Sequence, residues 1–205
     1  MIAQGAPSSV WNQWHVTDGP RYPHSKVIQF CLRNFKAADR PNIMALDLGC
    51  GNGVNSLFLL HEGFKVKGID FAEMGVEKAR KASSKAGFQA EFEVARIDQN
   101  FFEGQKFDLI ISIGVLDCAG LEASMTSISN MSKVLRDGGR GLFLFASDLD
   151  FRLTLKTDLS INGYSSEEVK QIFEGKFVEV NYDRYITTYE NGKSQQNEWL
   201  ITVKN

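Results

Sequence analysis

The sequence predicts an α/β fold: a doubly wound, mostly parallel sheet of seven strands that closes with an antiparallel C-terminal hairpin. Three observations carry that prediction. Short apolar runs alternate with amphipathic helical stretches between residues 43 and 146. A glycine-rich turn, Asp47-Leu48-Gly49-Cys50-Gly51-Asn52-Gly53, joins the first run to the helix after it. The last third is β-rich and carries Asn191-Gly192 between two runs, a dipeptide that accepts the positive φ of a tight hairpin turn.

Ile43-Met44-Ala45-Leu46 is the first strand, and it runs into the turn. Val54, Leu57, Leu60 and His61 then fall at helical spacing. Residues 65–69 read as a second strand and residues 72–86 as a helix, which Gly87 stops. Residues 90–95 alternate as a third strand. Phe107–Ile113 is almost continuously apolar, the pattern of a central parallel strand covered on both faces. Leu121, Met125, Ile128, Met131 and Leu135 mark one helix face, and Asp137-Gly138-Gly139 turns into a fifth strand at residues 142–145. With right-handed crossovers, a ligand sits beyond the carboxyl ends of these strands, where their order reverses.

Residues 147–164 read as a polar connection containing Asp148, Asp150, Arg152 and Tyr164, placed where an insertion shapes an acceptor site. Ser165-Ser166-Glu167-Glu168 has the form of a capping box opening a helix to about Phe173. Residues 177–189 and 198–203 are the arms of the hairpin. Ahead of the first strand, Val27, Ile28, Cys31, Leu32 and Phe35 outline an amphipathic helix. Residues 1–25 hold Trp11, Trp14, His15, Tyr22 and His24 among prolines and glycines, an aromatic loop that needs something to cover. No repeat or low-complexity tract divides the chain. It reads as one domain over residues 1–205, with residues 1–38 as lid and helix.

Twenty-three basic against 25 acidic side chains leave a net charge of −2. A nucleic-acid binder draws most of its affinity from a basic excess, so no nucleic-acid partner is expected. Cys31, Cys50 and Cys118 contain no C-x-x-C pair and suit neither a disulfide framework nor a metal site. Met1 to Pro7 has no basic start or apolar core, and the longest apolar stretch, residues 109–116, is too short for a bilayer. The expectation is a cytoplasmic protein without a membrane partner, monomeric or homodimeric, acting on a small molecule.

A glycine-rich turn before a helix suits an anionic or nucleotide ligand. The dinucleotide fingerprint needs glycine at the first, third and sixth positions. Counted from Gly49, the sixth position is Val54, and glycine stands fifth, at Gly53. A nicotinamide-dependent dehydrogenase is therefore the weaker reading.

Read whole, residues 46–53 resemble the first motif of the class I S-adenosylmethionine-dependent methyltransferases: an acidic residue, then glycine at every second position. Gly68-Ile69-Asp70-Phe71, Ala95-Arg96-Ile97-Asp98, Phe107-Asp108-Leu109-Ile110-Ile111-Ser112 and Leu135-Arg136-Asp137-Gly138-Gly139 follow in the order of that family's later motifs. The resemblance spans about residues 40–146. It implies a Rossmann-like methyltransferase fold, with S-adenosylmethionine as cofactor and S-adenosylhomocysteine as product. It also implies that Asp70 bonds the ribose hydroxyls and Asp98 the adenine amino group.

The chemistry of the ligand extends these assignments. Asp47 and the Gly49 carbonyl suit its ammonium, and the N–H groups after Gly49 suit its carboxylate. Phe71, Ile97 and Ile113 are placed to sandwich the adenine. Cys50, Gly51, Gly53, Asn55 and Gly114 are counted with the same site. Each has a plainer reading: Asp47 satisfying loop N–H groups, Asp70 capping a helix, Asp98 in an exposed loop, Cys50 packing. In the lid reading Tyr22, or Arg21, bonds the cofactor carboxylate, while Trp11, Trp14 and His24 shape the acceptor pocket. Against it stands packing on the sheet edge. Asp117, His15 and His24 are candidate bases, should the acceptor need to lose a proton. The Asn/Asp-Pro-Pro-Tyr/Phe signature of amino-methylating nucleic-acid enzymes is missing, since the chain reads Ser112-Ile113-Gly114-Val115 there. That favours an amino or hydroxyl group on a sugar or secondary metabolite. A non-catalytic domain that binds the cofactor to regulate a partner is the other alternative.

Overall fold

The computed structural model describes residues 6–17, 19–99, 102 and 104–205. The reading of Met1 to Pro7 as lacking a leader therefore falls largely on residues outside the described set, as does Asn100. The order is α1 (Ser8–Thr17), α2 (Ser25–Asn34), β1 (Met44–Leu48), α3 (Val54–His61), β2 (Lys65–Asp70), α4 (Glu73–Lys85) and β3 (Glu91–Val94). β4 (Phe107–Ile113), α5 (Leu116–Ala119), α6 (Leu121–Val134), β5 (Leu135–Ala146), α7 (Ser166–Phe173), β6 (Glu179–Tyr189) and β7 (Ser194–Lys204) follow. The strands form a seven-stranded sheet in the order β3-β2-β1-β4-β5-β7-β6. β1 to β5 pair in parallel, and β7 runs antiparallel to both β5 and β6. The order reverses between β1 and β4, the position where such sheets open a ligand crevice.

The apolar residues of the central strands divide between two faces. Leu46, Leu48, Ile110, Phe143 and Phe145 pack with Ile128, Met131, Ile172 and Phe173 from α6 and α7. Ala45, Leu109, Ile111 and Leu142 pack with Val27, Cys31, Leu59 and Leu60 from α2 and α3. Burial on both faces is why these strands read as continuous rather than alternating apolar runs.

Three local expectations change. Residues 8–17 are a helix rather than an aromatic loop, because docking against α4 supplies partners that the local sequence lacks. Asn12 Oδ1 accepts from the Met74 N–H at 2.9 Å, capping the start of α4. Lys78 Nζ donates to the His15 and Val16 carbonyls, closing the end of α1. Asp137-Gly138-Gly139 is not a turn ahead of the fifth strand but a register shift within it: Phe107 faces Leu135, and Leu109 already faces Arg140. The hairpin turn spans four residues between the paired Tyr189 and Ser194, with Glu190, Asn191 and Gly192 all at positive φ. The capping box at Ser165 and Glu168 is present as read.

Tyr164 ties the C-terminal elements to the strand ends. Its hydroxyl lies 2.9 Å from the Leu116 carbonyl and 3.1 Å from Ser124 Oγ, and its own carbonyl accepts from Trp199 Nε1 at 2.7 Å. Among the described residues no helix is long and apolar enough to cross a membrane. Ser124 Oγ also donates to the Leu116 carbonyl at 3.1 Å, so we expect Tyr164→Phe to remove its hydroxyl's bonds without orphaning either partner and to cost about 0.5–1.5 kcal/mol. In urea denaturation the midpoint should fall while the slope stays unchanged.

Candidate active site

Beyond the carboxyl ends of β1, β2 and β4 lies a cavity of about 1110 Å³. Its inner wall is the glycine turn at residues 49–52 with Asp70 and Phe71 at the end of β2. Arg96, Ile97 and Asp98 line one side, and Ile113, Gly114, Val115, Cys118 and Ala119 the other. Trp11, Trp14, His15, Tyr22 and His24 form the outer wall. Of the site residues read from the sequence, Arg21, Asp47, Gly53 and Asp117 do not line it.

Asp70 organises the inner wall. It is 7% exposed, and its two oxygens accept from the Gly51 and Ala72 N–H groups at 2.9 and 2.8 Å. The same carboxylate thus holds the glycine turn and the Ala72 N–H just ahead of α4, whereas the bond to an N–H of the first turn of α4 comes from Asn12. Burial pushes its pKa up; the Ala72 and Gly51 N–H bonds oppose that shift, as does nearby His15. Each oxygen keeps a lone pair after its N–H bond, an acceptor pair that fits a vicinal diol such as the ribose of an adenosyl ligand.

The glycines act through packing. A Cβ at Gly49 would lie 2.2 Å from Val115 Cγ2, one at Gly51 2.5 Å from His15 Cε1, and one at Gly53 2.7 Å from Ala79 Cβ. Gly53, at φ +83°, lets α3 start hard against α4 and leaves the ligand side to its neighbours. The turn's N–H groups are largely committed: those of Gly49 and Cys50 go to the Ile69 carbonyl, and that of Gly51 to Asp70. Val54 and Asn55 open α3, where N–H groups have no intrahelical partner, and both line the cavity.

Asp47 is turned away. It is 1% exposed and accepts from Ser56 Oγ at 2.6 Å, serving the start of α3. Burial pushes its pKa up to about 7, with the Ser56 bond opposing. Asp117 is also 1% exposed; its carboxylate accepts from the Ala146 N–H at 3.1 Å, and burial raises its pKa to about 6. Its other oxygen receives Cys118 Sγ at 3.8 Å, and it is Cys118, not Asp117, that meets the cavity. Asp98 is engaged by Arg96 in two bonds of 3.0 and 2.9 Å, and the hydrogen bond from Arg96 lowers its pKa.

None of residues 147–164 lines the cavity. Asp150 receives Arg152 and the Asn197 N–H, and Arg152 also reaches Glu198 at 3.0 Å, pinning the segment to β7. Instead the outer wall comes from the N-terminal segment. His24 donates its backbone N–H to Asn55 Oδ1 at 2.9 Å, and Asn52 Nδ2 donates to the Pro20 carbonyl at 2.8 Å. Tyr22 is 81% exposed at the rim. Sequence reading missed Arg96, Asn52, Val115, Cys118 and Ala119 as wall residues. Arg96 stood inside a quoted motif, but its role depends on a side-chain pair that no spacing announces.

Residues 39–198 match the model of a family described as a methyltransferase domain, and the chain belongs to that family. It is a class I S-adenosylmethionine-dependent methyltransferase by family and fold. It is 31% identical over 98 residues to the uncharacterized methyltransferase YodH of Bacillus subtilis (strain 168), covering 48% of this chain and 42% of that one. It is 28% identical over 141 residues to a ubiquinone biosynthesis O-methyltransferase of Xanthomonas axonopodis pv. citri (strain 306), covering 68% and 57%. The matched stretches thus span about half the length of these relatives. The fold is shared with magnesium protoporphyrin IX methyltransferase (ChlM) of Synechocystis PCC 6803 with bound SAH, at TM-score 0.71, 18% identity and coverage of 97% and 95%. It is also shared with a T. Thermophilus 16S rRNA methyltransferase (RsmC), at TM-score 0.65, 16% identity and coverage of 92% and 44%.

The raised pKa of Asp47 sets a sign for stability. The unfolded chain ionises this group near its ordinary 3.8, while the folded chain keeps the proton to about 7. Stability from this group is therefore full below about pH 4 and is lost as pH rises to about 7. We expect Asp47→Asn to flatten that part of the profile in urea titrations across the range. An unchanged slope counts against it.

Proposed function

We propose that the chain transfers a methyl group from S-adenosylmethionine to an amino or hydroxyl group of a small molecule, such as a sugar or secondary metabolite. The observation that carries the reading is Asp70: a buried carboxylate at the end of β2, bonded to the glycine turn and lining the cavity. Asp70 would hold the ribose hydroxyls, with Phe71, Ile97 and Ile113 beside the adenine. Asn55, Tyr22 and the first turn of α3 would meet the amino-acid end. When bound, S-adenosylmethionine supplies a methyl group already activated by its cationic sulfur.

The chain's own contribution is alignment and exclusion of water. Its aromatic outer wall supports the second role. His24 Nδ1 accepts from the Lys26 N–H at 3.2 Å, and burial, with Lys26 nearby, lowers the ring's pKa. The neutral ring then carries its proton on Nε2 and meets a ligand as a donor, orienting a lone pair rather than taking a proton. With Asp117 turned away, the reading is transfer to a nucleophile that already presents its lone pair.

The near-neutral charge supports a small acceptor over a polynucleotide. Calorimetry with S-adenosylhomocysteine tests the donor: we expect binding, weakened at least ~10-fold by Asp70→Ala (~1.4 kcal/mol). No heat at millimolar ligand ends the reading, and binding of a nicotinamide dinucleotide in its place favours the dehydrogenase. Tight binding without transfer across a broad acceptor panel favours the regulatory domain.

A further inference from the structure

Six buried side-chain polar atoms have no hydrogen-bond partner among the described residues, and three of them belong to residues lining the cavity. These are Trp11 Nε1, His15 Nδ1 and Asn52 Oδ1. They come from the two sides of one seam, where α1 meets the glycine turn. Buried donors and acceptors are almost always paired in folded proteins, so a cluster of exceptions beside a cavity requires a reason.

The seam lies on the Asp70 side of the cavity. The His15 ring fills a slot between two glycines: a Cβ at Gly51 would come within 2.5 Å of Cε1, and one at Gly75 within 3.0 Å of Cδ2. His15 is 5% exposed, and the Asp70 charge acts on it. The Trp11 ring centroid stands 6.5 Å from that of Phe71, the residue after Asp70. Trp11 is therefore beside the residues assigned to ribose and adenine, although the sequence placed it at the acceptor.

We propose that Trp11, His15 and Asn52 complete the adenosyl site, with their unpaired N–H, ring nitrogen and amide oxygen serving the ribose hydroxyls alongside Asp70. The assignment rests on the methyl-donor reading. The chemistry is complementary, since a vicinal diol both donates and accepts. The diol has two protons to give: Asp70 accepts one and the Asn52 oxygen the other, while the Trp11 indole N–H and an Nδ1–H of the His15 ring donate to the hydroxyl oxygens. All three atoms are sealed from solvent in the ligand-free chain. Engagement therefore requires a small displacement of α1, whose polar latches to α4 (Asn12 on Met74, Lys78 on the end of α1) are mostly exposed.

The test is calorimetry of the full chain with three probes: S-adenosylhomocysteine, adenosine and 2′,3′-dideoxyadenosine. Trp11→Phe, Asn52→Ala and His15→Leu, the last keeping the slot filled, should each weaken S-adenosylhomocysteine by about tenfold. In the first two the preference for adenosine over its dideoxy analogue should shrink. Unchanged affinity, or equal losses for both nucleosides, overturns the assignment. Where a variant fails to match the wild-type melt, the Trp11 indole N–H resonance of the wild-type chain decides. It should move with adenosine and much less with the dideoxy analogue; equal movement or none overturns the proposal. A wild-type chain that binds no S-adenosylhomocysteine defeats the methyl-donor reading itself. Binding blind to all three substitutions defeats only this one.

Discussion

The bond pair at Asp70 is the constraint on which the site depends. One oxygen takes the Gly51 N–H and the other the Ala72 N–H, so a single carboxylate fixes the glycine turn and the approach to α4 against the tip of β2. The turn then cannot drift from the end of β2 without breaking a charge-assisted bond in a buried setting. α4 in turn presents the Met74 N–H and Lys78 to α1. Inner wall, helix start and outer wall are thus linked in series through one side chain.

Two charged groups near the cavity do structural duty of a similar kind. Asp47 serves the beginning of α3 through Ser56, and Asp117 the β5 backbone through Ala146. Both sit within a few residues of ligand-facing positions, and sequence spacing cannot tell an inward carboxylate from a capping one. The difference is set by neighbours far along the chain, residues 56 and 146, which no local motif names. Asp70 and Asp47 belong to the same run of motifs, yet only Asp70 faces the cavity.

The parallel core was legible because burial on both faces leaves an unmistakable signature, continuous apolar strands such as Phe107–Ile113 separated by amphipathic helices. The capping box at Ser165 was equally plain, since its bonds are local. α1 was not legible: its helix is completed by Asn12 and Lys78 contacts to a partner some sixty residues away, so its own residues showed only aromatics. The register shift inside β5 and the pinning of Arg152 to Glu198 are likewise tertiary facts. The lining of the cavity by residues after β1, β2, β3 and β4 followed from topology. What the segment at 147–164 would do did not.

The family match begins at residue 39, and both α1 and α2 precede it. The boundary of the shared domain therefore runs through the cavity, with the glycine turn and Asp70 on one side and the aromatic outer wall on the other. A chain divided this way behaves as a standard socket with an interchangeable faceplate. Exchanging residues 6–24 would re-shape the cavity's outer wall while leaving Val27 and Cys31 of α2 packed against the sheet. Chimeras joined at the start of α2 are the natural unit for redesigning this protein.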